Sequence, residues 1–230
     1  MKSLSIIITT YNEAENIASL IKEIHKFSKD AEIVVVDDNS PDGTPNIVKD
    51  LRKKIKKIKL LVRKNERGLS SAVLAGFKIA SGDYICVIDA DHSHPPELIP
   101  KLRKELENAD IVVASRYVKG GGCENWPFLR QLVSKFATLL ARPLTPVKDP
   151  MSGFFMLKKG VIEGVEFHPE GFKIGLEILV KGKHKVIKEV PFVFRDRRAG
   201  KSKLGIKTNL QYINHLIKLY RYKWYEKNNS

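Results

Sequence analysis

Two carboxylates one residue apart, Asp89 and Asp91, close an apolar run of strand length that begins at Ile85. Hard oxygen donors at that spacing suit a divalent cation, Mg²⁺ or Mn²⁺, shared with the phosphates of a ligand. In an open α/β sheet, ligands gather beyond the carboxyl ends of the strands. The pattern therefore predicts a metal and nucleotide site on Asp89-Ala90-Asp91. The competing reading is structural: the aspartates start a turn, Pro95 and Pro96 open a helix, and Glu97 favours the positive end of its dipole. His92 and His94 follow at once, but no third His or Cys stands at a zinc-ligand spacing.

A second cluster, Arg195-Asp-Arg-Arg-Ala-Gly-Lys-Ser-Lys203, sets five cations against one carboxylate around Gly200. Alone it reads as a solvated charge run. Beside a pair of aspartates it reads as a mobile loop that closes on phosphate. Gly200-Lys-Ser202 is not a P-loop, because the first glycine of that motif would fall at Arg195. Nor does a GxGxxG follow the first strand, so a dinucleotide fingerprint is absent.

The elements that must position these groups alternate. Leu4 to Thr9 reads as a buried strand, and Asn12 or Glu13 opens a helix with its stripe at Ile17, Leu20, Ile21, Ile24 and Phe27. Strands follow at Ile33 to Asp37, Ile58 to Val62, Tyr84 to Asp89 and Ile111 to Ala114. Between them run helices from Thr44, as cap, to about Ile55, from Leu69 to Ala80 and from Pro96 to Leu106. This alternation predicts a doubly wound, mostly parallel α/β sheet flanked by helices. Gly153 to Leu157 and Val186 to Phe194 read as further strands, with a helix bearing Glu177 between them.

Two amphipathic helices complete the chain. Pro127 to Ala141 carries Phe128, Leu129, Leu132, Val133, Phe136, Leu139 and Leu140 on one face, with Arg130 and Ser134, four apart, on a neighbouring one. From Ile206 to Trp224 the apolar residues Ile206, Leu210, Ile213, Ile217, Tyr220 and Trp224 recur at helical spacing among lysines and arginines. Either helix covers a core or lies on an anionic membrane surface. The expected division is a catalytic domain over residues 1–203 and a basic amphipathic C-terminal helix over 204–230.

Lysine and arginine number 41 against 26 acidic residues in 230, a formal net charge of +15, so the partner is expected to be anionic. A nucleic-acid module is one explanation, but no helix-turn-helix, zinc finger or aromatic RNA-binding motif is recognisable, and no nucleic acid is expected. Cys86 in an apolar run and Cys123 after three glycines form no CxxC or zinc pattern, which fits a reducing, cytoplasmic setting. No run of about eighteen apolar residues offers a membrane span, and no signal peptide is expected.

In order, Thr10-Tyr-Asn-Glu13, Val36-Asp-Asp38 with Ser40-Pro-Asp-Gly-Thr44, Asp89-Ala-Asp91, Ser115-Arg-Tyr117, Ser152-Gly-Phe154 and Arg197 through Lys203 resemble family 2 glycosyltransferases. Within that family they resemble the dolichyl-phosphate mannose synthase (polyprenyl-phosphate mannosyltransferase) branch, from about Leu4 to Gly205. The resemblance implies a GT-A fold, GDP-mannose as donor, dolichyl or another polyprenyl phosphate as acceptor, and Mg²⁺ or Mn²⁺. It implies Thr9, Tyr11, Glu13, Val36 and Asp38 around the nucleoside, with Asp89, Ala90 and Asp91 at the diphosphate and metal. Arg116, Arg197 and Lys203 would close over the phosphates, and Arg116, Arg130 and Ser134 would receive the acceptor phosphate. Thr9 stands where relatives often have proline, and Ser93 where some have a glutamine metal ligand. The expected reaction is a single inverting displacement at the cytoplasmic face of a membrane, reached directly or through a membrane-anchoring subunit. Transfer of glucose or a similar sugar to the same lipid is the alternative.

Overall fold

The structure, a computed structural model, describes residues 2–168, 173–195 and 206–229. Nine strands and seven α-helices are described. The strands are β1 (Leu4–Thr10), β2 (Glu32–Asp37), β3 (Ile58–Val62), β4 (Tyr84–Asp89), β5 (Ile111–Ser115), β6 (Gly122–Cys123), β7 (Phe155–Lys158), β8 (Ile187–Pro191) and β9 (Val193–Phe194). The helices are α1 (Ala14–Phe27), α2 (Thr44–Lys54), α3 (Leu69–Ile79), α4 (Ile99–Leu106), α5 (Phe128–Ala141), α6 (Ile174–Lys181) and α7 (Ile206–Asn229).

Seven strands form one sheet in the order β3-β2-β1-β4-β7-β5-β8, in which only β7 runs antiparallel to its neighbours. The Ile- and Val-rich runs of β1 and β2 are buried on both faces, as the centre of a doubly covered sheet requires. Ile17, Leu20 and Ile24 of α1, Val48 of α2 and Leu102 of α4 pack on one face. Val73 and Phe77 of α3 and Ile178 of α6 pack on the other. The chain winds outward from β1 through β2 to β3, then returns to lay β4 on the other side of β1. That reversal makes the crevice between the ends of β1 and β4 the topological switch point. Thr9 sits there, in register with Asp89 on one side and Val36 on the other.

Several local expectations change. Thr44 is the first residue of α2 and not its cap; Gly43, at φ 90°, holds that place, and Asp42 accepts from the Thr44 amide and hydroxyl. Pro96 to Leu98 forms a 3₁₀ turn before α4. The run Val186 to Phe194 is two strands, broken at buried Phe192, so that β8 pairs with β5 while β9 turns away to β6. Ser152 and Gly153 remain a turn ahead of β7.

The two amphipathic helices both leave the stripe picked out by the sequence exposed. On α7, Leu210, Ile213, Ile217, Tyr220 and Trp224 of the predicted stripe face outward, whereas Tyr212, His215, Leu216 and Leu219 are buried. That buried face joins Ala141, Leu144, Met151 and Leu176 in a small third core. Tyr212 and Tyr220 donate through their hydroxyls to the carbonyls of Ala137 and Leu140 on α5, each at 2.6 Å. On α5 the whole apolar face is exposed, Phe128 to 75% and Phe136 to 62%. Among the described residues no helix is long and apolar enough to cross a membrane.

Two carboxylates fasten the sheet and set its acid limit. Burial works against the charge of Glu32, but bonds from Lys59, Ser5 and Ser81 outweigh it and hold the group at about 2, below its ordinary 4.5. Asp110 accepts the Lys185 and Val186 amides and is also held at about 2, below 3.8. Both values are depressed by folding, so the stability they contribute is complete above the ordinary carboxylate range and is lost as pH falls toward 2. Urea midpoints measured from pH 7 down to about 2.5 should fall steadily below pH 4.5, and Glu32→Gln should flatten that slope.

Candidate functional site

The loops beyond β1, β2 and β4 meet at the switch point, and each contains one non-glycine residue in the left-handed region: Asn12 (φ 58°), Asn39 (φ 56°) and His92 (φ 63°). Asn and His are among the residue types that tolerate this conformation, which recurs at functional turns. Side chains of the Asp37 to Thr44 block lace these loops together. Asp37 accepts from the Thr10 hydroxyl (2.8 Å) and from both the amide and the hydroxyl of Ser40. The Ser40 hydroxyl in turn accepts the Asn12 amide, and Asp42 accepts that of Ala14.

On this frame sit the residues expected around a nucleoside. The Tyr11 ring lies under the Arg67 guanidinium at 4.6 Å, and Glu13 accepts from Asn16 at the start of α1. The side chain of Val36 is wholly buried in the core cluster that includes Val73 and Phe77 of α3. Asp38 accepts from Arg63 Nε (2.7 Å) and from the Gly68 amide (2.9 Å). Arg63, which no motif contains, is itself buried and reaches Glu66, Ser71 and the Gly68 carbonyl as well. It pins the loop before α3 to the end of β2.

Asp89 ends β4 with its side chain 35% exposed, and Asp91 lies deeper, with Oδ1 accepting the Ser93 amide at 3.1 Å. His94 closes the turn. Its Nδ1 accepts the Asp89 amide at 3.1 Å and its Nε2 stands 3.7 Å from Asp89 Oδ2. Burial lowers its pKa against the pull of Asp89 and Asp91. His92 instead contacts Ser19 and Glu23 on α1. Both histidines thus secure the turn, and no zinc set forms among the described residues. Gly153 lies beside Asp89: a Cβ there would stand 3.6 Å from Asp89 Oδ2, an ordinary van der Waals contact. Lys173 lines a pocket with Asp89 and Gly153 and donates to the Met151 carbonyl at 2.9 Å; burial, and after it the charge of Arg116, lowers its pKa to about 8.

Beyond β5 lies a cationic group. Arg116 is buried and forms a two-pronged ion pair with Asp149, Nε to Oδ2 and Nη2 to Oδ1 each 2.7 Å, while its own amide donates to Oδ2 at 2.9 Å. Gly121 packs against this backbone: a Cβ would fall 2.5 Å from the Ser115 carbonyl, so only glycine fits. The Tyr117 hydroxyl donates to Ser134 Oγ at 2.8 Å, and Arg130 lies over the Trp126 ring at 4.1 Å. Arg116 lies over both the Tyr117 and the Trp126 rings, at 5.2 and 5.4 Å, which brings Arg116, Arg130 and Ser134 together. Arg197 and Lys203 lie outside the described residues, as does most of the basic stretch expected to be mobile. Its first residue, Arg195, donates its amide to the Ser93 carbonyl at 3.2 Å and pairs with Glu97, so the stretch begins against the Asp91 turn.

Asp149, Arg63, Lys173 and Trp126 escaped the sequence reading. A basic residue leaving a buried strand, as in Ser115-Arg116, demands a carboxylate partner, but nothing in the sequence says which of the 26 acidic residues supplies it.

Residues 5–165 match the model of glycosyl transferase family 2. The chain is 50% identical over 226 residues to a dolichol-phosphate mannosyltransferase of Pyrococcus furiosus, covering 95% of this chain and 64% of that protein's length. It is 41% identical over 234 residues to a dolichol-phosphate mannosyltransferase of Saccharomyces cerevisiae, covering 96% and 88%. Among solved structures it resembles glucosyl-3-phosphoglycerate synthase from Mycobacterium tuberculosis, in complex with Mn²⁺, UDP and glucosyl-3-phosphoglycerate. That likeness has a TM-score of 0.68 at 20% identity and covers 96% of this chain and 80% of that one. The fold is thus of the GT-A type, and a carboxylate pair at the switch point of such a sheet, with family-wide likeness over most of the chain, makes this protein a member of glycosyl transferase family 2.

Proposed function

We propose that the chain transfers mannose from GDP-mannose to dolichyl or another polyprenyl phosphate, with inversion, at the cytoplasmic face of a membrane. One observation carries this reading: Arg116, Arg130 and Ser134 gather where a carboxylate-bearing crevice meets a helix whose apolar face is exposed. A phosphate on a lipid tail needs that pairing of cations with an apolar surface. The names of the relatives from P. furiosus and S. cerevisiae support the sugar and the acceptor.

The donor set fits a divalent cation. Asp89 and Asp91 offer two hard oxygens, and Ser93 Oγ, two residues on, is buried with no hydrogen-bond partner among the described residues. A cation of the Mg²⁺ class needs no more protein than this, since phosphates and water complete its shell. When bound, it would neutralise charge on the departing diphosphate. The protein's own part is to bind and orient: Tyr11, Glu13 and Asp38 edge the nucleoside crevice, and Arg197 and Lys203 are assigned to the diphosphate by their place in the motif. Arg116, Arg130 and Ser134 take the acceptor phosphate. That phosphate has a second pKa of about 6 and arrives largely ionised, so no catalytic base is required.

The direct test is a panel of radiolabelled sugar nucleotides with a short polyprenyl phosphate. GDP-mannose should yield organic-extractable label and UDP-glucose should not; the reverse result would establish the glucose alternative. Membrane attachment has its own test. The exposed Phe128, Phe136 and Leu139 on α5, with Trp224 on α7, suit insertion at a headgroup boundary, and the net charge favours anionic lipid. The protein should float with anionic liposomes at low salt, and Phe136→Glu with Phe128→Glu should reduce flotation without lowering the melting temperature. A full chain that never floats would point to a membrane-anchoring subunit.

A further inference from the structure

Trp126 belongs to none of the motifs, yet both arginines that define the proposed acceptor site lie against its ring. The Arg130 guanidinium carbon is 4.1 Å from its ring centroid and that of Arg116 is 5.4 Å away. Phe194 meets the same ring edge-on, with centroids 5.2 Å apart and planes at 71°. The indole Nε1 is buried with no hydrogen-bond partner among the described residues. This placement is built by the fold: β6 pairs with β9, carrying the segment before α5 alongside Phe194, and Gln131 donates to the Trp126 carbonyl at 3.0 Å.

The two guanidiniums repel each other, and Arg130 is a long side chain on an exposed helix that loses rotamer freedom when it is held in one place. An indole is the side chain best able to stabilise a cation over its face. A buried indole N–H without an acceptor costs free energy and persists only where something offsets it; cation–π contact with two arginines is such an offset. A ring that merely filled the core would require neither arginine.

We propose that Trp126 is the positioning residue of the acceptor-phosphate site, its ring holding Arg130 and Arg116 in one arrangement that matches the oxygens of a phosphate monoester. This rests on the reading that these arginines meet a polyprenyl phosphate. The experiment therefore measures binding of a short isoprenyl monophosphate to the full-length protein as well as turnover. Trp126→Leu should raise both the acceptor Kd and the acceptor KM by about tenfold or more. Donor affinity without acceptor, and kcat at saturating acceptor, should stay within about threefold. Trp126→Phe keeps an aromatic face and should recover most of the loss. In an Arg130→Ala background, Trp126→Leu should cost much less than it does alone, because the contact it removes is already gone.

Equal acceptor affinity in wild type and Trp126→Leu would overturn this role, as would equal effects of Leu and Phe or full additivity with Arg130→Ala. Should Trp126→Leu fail to fold, the Phe variant and its cycle with Arg130→Ala decide the question. A wild type that binds the isoprenyl phosphate but transfers no sugar would defeat the transfer reading and leave the affinity comparison to judge Trp126. A wild type that binds none would defeat both.

Discussion

Asp91→Ala is expected to reduce sugar transfer by about 10³-fold or more while leaving the fold intact. A cation polarising a phosphoryl oxygen supplies several kcal/mol of transition-state stabilisation, and each 1.36 kcal/mol is about a factor of ten in rate. Within the turn Asp91 accepts the Ser93 amide at 3.1 Å, a contact worth about 1 kcal/mol and small beside that. Asp89 is 35% exposed at the rim while Asp91 is buried. The deeper carboxylate is better shielded from water, and its loss should be the more damaging of the two. The measurements are single-turnover transfer, a titration of Mg²⁺ and Mn²⁺, and a melting curve. Loss of activity with an unchanged melting temperature, and a metal requirement that Asp91→Asn weakens, are the expected results. Full activity in excess EDTA would sink the metal assignment.

The parts of the molecule that were legible in the sequence are those where one local signal suffices. β4 reads as a strand because Tyr84 to Ile88 is continuously apolar, and its chemistry reads because Asp89 interrupts that run. The alternation of strand and helix through β5 fixes the sheet's character, since short parallel connections leave few topologies open. The antiparallel β7 was not legible. Its pairing with β4 and β5 is a long-range choice that no neighbour in sequence announces.

What the α7 stripe faces was open in the sequence for a different reason. That helix has two apolar stripes, and the longer one, ending in Trp224, is the one turned outward. Periodicity identifies an apolar face but not what that face meets. The buried stripe is harder to see because His215 interrupts it, 3.6 Å from Glu177 Oε2 in α6. Polar residues that bury by pairing across elements leave no local trace: Arg63 with Asp38, Arg116 with Asp149 and His215 with Glu177 are each 25 or more positions apart in sequence. In the Asp37 to Thr44 block the carboxylates of Asp37 and Asp42 bind loop amides and hydroxyls, so much of its specificity is that of a scaffold.

Asp149→Ala should be the most destabilising single change near the site. Asp149 is fully buried and Arg116 is 8% exposed, so removing the carboxylate leaves a guanidinium enclosed without its counter-charge. Breaking a buried pair in this way costs about 3–5 kcal/mol, and at roughly 2–4 °C per kcal/mol for a domain of this size the melting temperature should fall by about 10 °C. The damage extends outward, because Glu189 accepts the Lys148 and Asp149 amides and couples this loop to β8. Activity should fall as well, since an Arg116 released from Asp149 no longer presents one fixed face to a phosphate. The two losses are separable. Replacing both partners by apolar residues, Asp149→Leu with Arg116→Met, removes the stranded charge and should restore much of the stability, while acceptor affinity stays low. If the double variant regained both stability and acceptor affinity, Arg116 would be a structural residue only, and the phosphate would have to be held by Arg130 and Ser134 without it.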